Sequence, residues 1–201
     1  MFVPFLPPDP LPDADLYHSA IEILILCTGN TCRSPMAAAF LRRQLDHAGG
    51  KAVVSSAGLL FDGKPATDYA LAVMADRGID TSGHRSRKLR SDMLASADIV
   101  IGMAREHVRE AVALAPDAWV RAFTLKEIVR LGEERGGRAP GEPLEQWLAR
   151  LHEGRRRHDL LGDSTGDDVA DPIGGPRRSY QRTAEELDDL TARLAGLLGN
   201  G

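Results

Sequence analysis

Two cysteines, an arginine and a glycine fall within the nine residues CTGNTCRSP (27–35), directly behind the apolar run IEILIL. Cys27 is a strong nucleophile once ionised. Arg33 offers a planar fork that grips two oxygens at once. Gly29 and Asn30 are residue types that enter the left-handed conformation of a tight loop. Ser34-Pro35 reads as a helix start, serine at the N-cap and proline in the first turn, where its missing N–H is not needed. A strand, a loop of small residues and a helix N-terminus make an anion cradle, because the first helical N–H groups have no intrahelical partner. Thr28, Gly29, Asn30, Thr31, Cys32, Arg33 and Ser34 are therefore the candidate substrate-binding loop. The donors that hold an oxyanion also stabilise a thiolate. The chemistry this predicts is attack by Cys27 on a tetrahedral phosphorus or arsenic centre.

The elements that must position this loop follow from the apolar pattern. Ile21–Leu26 reads as a strand buried on both faces. Met36, Phe40, Leu41 and Leu45 continue at helical spacing until GGK (49–51). AVVSSAG (52–58) is a second strand, PATDYALAVMADRGI a helix from Pro65, ADIVIGM (97–103) a third strand, REHVREAVALA a helix, and AWVRAFTL (118–125) a weaker fourth strand. A long closing helix carries Tyr180, Ala184, Leu187, Leu190, Leu194 and Leu197 on one stripe. Strands alternating with helices predict an α/β domain of three αβα layers, with about four parallel strands in flavodoxin-like order. Ligands in such sheets lie beyond the carboxyl ends of the strands, where CTGNTCRSP sits. Between the fourth strand and the last helix, residues 126–168 form a helical insertion in a single domain, 20–201. Within it Leu144, Trp147, Leu148 and Leu151 line one helix face, flanked by loops GEERGGRAPG and GDSTGDD.

Composition narrows the class. The net charge is −4, with no strongly basic surface that would point to nucleic acid. The basic runs HRSRKLR (84–90) and RRRH (155–158) read as solvated faces. The first twenty residues hold five prolines and no Lys or Arg, which fits no signal peptide, and no apolar run approaches bilayer length. The expectation is a cytoplasmic protein with no membrane partner and an extended Pro-rich arm at residues 1–19. Two cysteines five apart, without a nearby histidine, lack the ligands of a zinc site, so no metal and no other cofactor is expected.

The spacing C-x5-R-S closely resembles the phosphate loop of the low molecular weight protein tyrosine phosphatases, in a longer bacterial form. SSAG (55–58), GIDTSGHRSR (78–87), ADIVIGM (97–103) and DPIGGP (171–176) resemble further family segments in the same order. The resemblance spans about 21–124 and 169–198. It implies a phosphatase that forms a phosphocysteine on Cys27, with Arg33 binding the oxyanion. Asp171 would be general acid and then base, with Asp167 and Asp168 as fallback acids. Ser34 would assist the thiolate. Asn30, Ser56 and His84, together with Ser34, would support the loop. Cys32 would be a redox partner able to close a disulfide with Cys27. Phosphotyrosine-specific members wall the pocket with aromatics, notably just after the Asp-Pro. Here that position is Ile173, with Phe61 as the single candidate aromatic wall, and Ala104 stands where the family commonly has an acidic residue. The implied partner is a phosphorylated protein or a small-molecule phosphate ester. Two alternatives stay open: arsenate reduction on the same scaffold with a small thiol such as mycothiol or glutathione, and a phosphate-binding module without catalysis.

Overall fold

The computed structural model describes residues 20–49 and 52–199. The arm expected at 1–19 lies outside them. Four parallel strands, β1 (Ile21–Cys27), β2 (Ala52–Gly58), β3 (Ile99–Gly102) and β4 (Ala122–Thr124), form one sheet in the order β2-β1-β3-β4. This is the flavodoxin-like order expected from the alternation.

Among the described residues, seven α-helices enclose the sheet: α1 (Arg33–His47), α2 (Asp68–Ala75), α3 (Ser91–Ser96), α4 (Arg105–Leu114), α5 (Leu125–Arg135), α6 (Leu144–His152) and α7 (Arg177–Leu198). Strand residues alternate between two cores, as period-two side chains must. Ile23, Ile25, Ile99, Ile101 and Phe123 pack with the apolar faces of α1, α5, α6 and α7. Leu24, Leu26, Val100 and Ala122 pack with Leu94 of α3 and Val108, Ala111 and Val112 of α4. The sheet is thus sandwiched and the strands are apolar on both faces. Among the described residues, no helix is long and apolar enough to cross a membrane.

Several boundaries differ from the sequence reading. The second helix starts at Asp68 rather than Pro65, because Thr67 is extended and its N–H donates to Thr31 O at 2.9 Å. The first helix takes Cys32, not Ser34, as its cap. The fourth strand shrinks to three residues. Pro116 opens a 3₁₀ turn that runs to Arg121, and Arg121 Nε is held by Ala97 O at 3.1 Å. Leu125, expected to end the fourth strand, already belongs to α5, which occupies residues expected as insertion and loop. Thr124 and Glu127 form a reciprocal capping box there. Gly132 of α5 lies against Leu197, so α5 packs directly on α7 as part of the main helical layer.

The run at 155–158 is not a solvated face throughout. The Arg155 guanidinium lies 3.9 Å from the Phe123 ring centroid and 4.3 Å from that of Trp119. It also pairs with Glu127 at 2.7 Å and donates to Ala122 O at 2.7 Å. Arg155 thereby ties the stretch after α6 to β4. Helix α6 itself packs on α5 and on the 116–121 turn at the sheet edge.

Candidate active site

The loop between β1 and α1 closes around Cys27, the last residue of β1. Cys27 Sγ accepts from the Asn30 N–H at 3.2 Å and lies 3.0 Å from Ser34 Oγ. Asn30 makes this possible through its backbone, the single non-glycine residue at positive φ (51°) among those described. Its side chain then fixes the loop from beneath. Asn30 Nδ2 donates to Ser34 Oγ and Ser56 Oγ, each at 2.9 Å, and Asn30 Oδ1 accepts from Arg87 N at 2.8 Å.

His84 Nε2 lies 2.7 Å from Asn30 O. A carbonyl can only accept, so Nε2 carries the proton. Burial holds the His84 pKa below the usual imidazole value, which keeps that neutral donor in place. Asn30, Ser34, Ser56 and His84, expected together as loop support, are thus joined through one buried asparagine. Arg87 belongs with them, since its guanidinium donates to Ser56 O at 3.0 and 3.2 Å. The first basic run is therefore tied to the loop at His84 and Arg87, while Arg85, Arg87, Lys88 and Arg90 remain exposed as expected of a solvated face. Gly58 lets the two segments meet: a methyl group there would lie 2.7 Å from Asn30 N.

Arg33 is buried at the start of α1 and reaches across to the far end of the chain. Nη1 donates to Val169 O at 3.2 Å, and Nη2 pairs with Asp171 Oδ2 at 2.6 Å. Asp171 Oδ1 accepts from Ile173 N at 3.2 Å, so the Asp-Pro turn presents its carboxylate beside the loop.

Asp167 and Asp168, the fallback acids, are engaged elsewhere. Asp167 pairs with Arg105 at 2.7 Å. Asp168 accepts from Arg105 N and from Ser164 N, each at 2.8 Å. Arg105 is the first residue of α4, so Asp168 supplies from a distance the N-terminal acceptor that Ala104 cannot. The end of the 126–168 segment thereby anchors the turn that carries Asp171, and Val169 N donates to Met103 O at 2.7 Å.

At the rim, the Phe61 ring lies against Gly29, 3.3 Å from where a methyl group would sit. Phe61 is 43% exposed beside the loop, and Ile173, two residues after Asp171, is 51% exposed. Cys32 is buried beside Cys27, and both are free thiols. Burial and the neighbouring Cys27 push the Cys32 thiol far above its usual pKa, so it stays protonated.

One cluster was missed by the sequence reading. Thr28 Oγ1 lies 3.1 Å from Arg33 Nη2, 3.0 Å from His107 Nε2 and 3.2 Å from Glu106 Oε1. His107 is fully buried, and burial with the nearby Arg33 guanidinium brings its pKa down to about 3. The available signal was the position of Glu106 and His107 in the first turn after strand β3, the same strand-end logic that located Cys27.

Residues 22–137 match the family described as low molecular weight phosphotyrosine protein phosphatase. A protein-arginine-phosphatase of Geobacillus stearothermophilus is 33% identical over 87% of this chain and 93% of its own length. A probable low molecular weight protein-tyrosine-phosphatase, EpsP, of Ralstonia solanacearum is 36% identical over 66% of this chain and 89% of its own. The fold superposes, with a TM-score of 0.68 and 28% identity, on a YwlE arginine phosphatase mutant with a phosphorylated active-site serine. That match covers 89% of this chain and 95% of the other.

Proposed function

This chain belongs to the low molecular weight phosphotyrosine protein phosphatase family and is a phosphatase of that class, and from that premise we propose that it acts through a phosphocysteine on Cys27, with phosphoarginine in proteins as its substrate. The observation that carries the substrate choice is the mouth. Phe61 faces the loop on one side, but Ile173 stands after the Asp-Pro where an aromatic would clamp a phosphotyrosine ring. A mouth with one aromatic face suits the narrow, planar guanidino group. The arginine phosphatase of G. stearothermophilus, which aligns over most of this chain, supports the same choice.

The phosphoryl oxygens enter the loop and take the Arg33 fork, which releases Asp171 from its pair with Nη2. Cys27 Sγ attacks phosphorus opposite the leaving nitrogen. The S–P bond forms as the P–N bond breaks, and the Asp171 carboxylic acid protonates the departing guanidino nitrogen. Water then attacks the phosphocysteine, with Asp171 as carboxylate taking its proton. The P–S bond breaks, inorganic phosphate leaves, and the Cys27 thiolate returns, stabilised by Ser34 Oγ and Asn30 N–H.

The test is phosphate release by the purified reduced protein from an arginine-phosphorylated protein and from a phosphotyrosine peptide. Phosphoarginine should be the better substrate in kcat/KM. Cys27→Ser should abolish release, and Asp171→Asn should slow it about 10²-fold or more, the loss of a general acid. Asp168→Asn should cost far less. Preference for phosphotyrosine would overturn the substrate reading, and equal losses in the two aspartate variants would overturn the assignment of the acid.

A further inference from the structure

The Thr28–Glu106–His107 cluster places a carboxylate at the rim of a site that binds a dianion. A phosphoryl dianion accepts from the N–H groups of the Arg33 fork and the loop, so a second acid beside Asp171 repels the phosphoryl group it overlooks. We infer that Glu106 recognises the positively charged guanidino part of the substrate and selects phosphoarginine over phosphate esters whose leaving group carries no charge, an inference that rests on the phosphoarginine reading above.

The proton inventory fixes how Glu106 is held. Thr28 Oγ1 has one proton to give and two lone pairs. Arg33 Nη2 can only donate, and takes one lone pair at 3.1 Å. If His107 Nε2 accepted from Thr28, its bare lone pair would face Glu106 Oε1, 3.2 Å away. Nε2 therefore carries the ring proton and donates toward Thr28 Oγ1 and Glu106 Oε1, while the Thr28 proton goes to Glu106 Oε1. This arrangement satisfies the threonine hydroxyl fully and gives Glu106 Oε1 two donors.

Glu106 is 46% exposed at its side chain while His107 is fully buried. One carboxylate oxygen is therefore anchored, and Oε2 has no hydrogen-bond partner among the described residues. Arg33 Nη2 donates to both Thr28 Oγ1 and Asp171 Oδ2, which brings Glu106, held on Thr28, and Asp171 to the same arm of the fork. A phosphoarginine held there presents its phosphate to Arg33 and its remaining guanidino N–H groups to carboxylates. An aryl phosphate brings the same dianion and no compensating charge.

The experiment is Glu106→Gln assayed on an arginine-phosphorylated protein and on an aryl phosphate. Glutamine keeps the acceptor for Thr28 and His107 and removes the charge alone. On phosphoarginine kcat/KM should fall about tenfold, the loss of one charge-assisted hydrogen bond. On the aryl phosphate it should rise about two- to fivefold, because a like charge has gone. A structural role would move both substrates down together. Parallel losses, or no change on phosphoarginine, would overturn the assignment of Glu106 while leaving the phosphoarginine reading intact. Failure of the unsubstituted enzyme to cleave phosphoarginine would overturn both. Glu106→Asp, which keeps the charge on a shorter arm, should recover part of the phosphoarginine preference, and a preference equal to that of glutamine would also count against the proposal.

Discussion

Asn30→Ala should unfold the support beneath the phosphate loop more than any other single loop change. The side chain makes three hydrogen bonds, two buried ones to Ser34 and Ser56 and a part-buried one to the Arg87 amide. At about 1 kcal/mol net each, their loss costs about 3 kcal/mol. Alanine at a φ of 51° adds about 1 kcal/mol, since asparagine tolerates the left-handed region and alanine does not. The total is about 4 kcal/mol, which in a domain of this size lowers Tm by about 8–16 °C. Asn30→Gly separates the two causes. It loses the same side-chain bonds without the backbone strain, so it should be about 1 kcal/mol milder than alanine. Urea unfolding of the three proteins at pH 7, followed by turnover of an aryl phosphate per folded molecule, measures both effects. An alanine variant within about 1 kcal/mol of the parent, or a glycine variant no better than alanine, would refute the account of the loop as hung from this residue.

Gly58→Ala tests the same contact from the other side. Its methyl group would press on Asn30 N at 2.7 Å and Gly29 C at 2.9 Å, both backbone of the phosphate loop, and overpacking of this kind costs about 1–3 kcal/mol. Aryl phosphate turnover should drop about tenfold or more through displacement of the loop, and a parent-like rate would show that the loop yields freely. His107 gives a pH signature. Its pKa is about 3 in the folded protein, against about 6.5 unfolded, so between those values the unfolded chain binds more protons. Stability from this group is complete above about pH 6.5 and falls on acidification with a slope of up to about 1.4 kcal/mol per pH unit. His84, also lowered by burial, adds in the same sense. Denaturation midpoints between pH 4.5 and 7 should fall less steeply for His107→Gln than for the parent, and parallel curves would refute the buried neutral imidazole.

The sequence by itself determined the sheet class, the strand that ends at Cys27, and the loop with its anion-binding chemistry. Those features are local. Strand, tight loop and helix start follow one another within fifteen residues, and each residue type there has a conformational or chemical reason that needs no distant partner. The apolar faces of α6 and α7 were legible for the same reason, since a helix carries its own period. The capping box at Thr124 and Glu127 was legible too, yet the end of the weak fourth strand hid it. Tertiary structure decided everything that depended on which segments meet. Arg33 finds Asp171 across 138 positions in the chain, and only that approach distinguishes Asp171 from Asp167 and Asp168, which Arg105 takes instead. Arg155 looks like solvated charge in the sequence but is buried on Ala122 O, and the exposed Arg87 also reaches a strand carbonyl, Ser56 O, because the parallel sheet brings those carbonyls to them. Thr28 is separated from Glu106 and His107 by nearly eighty residues, and they meet because β1 and β3 are neighbours in the sheet and end at the same edge.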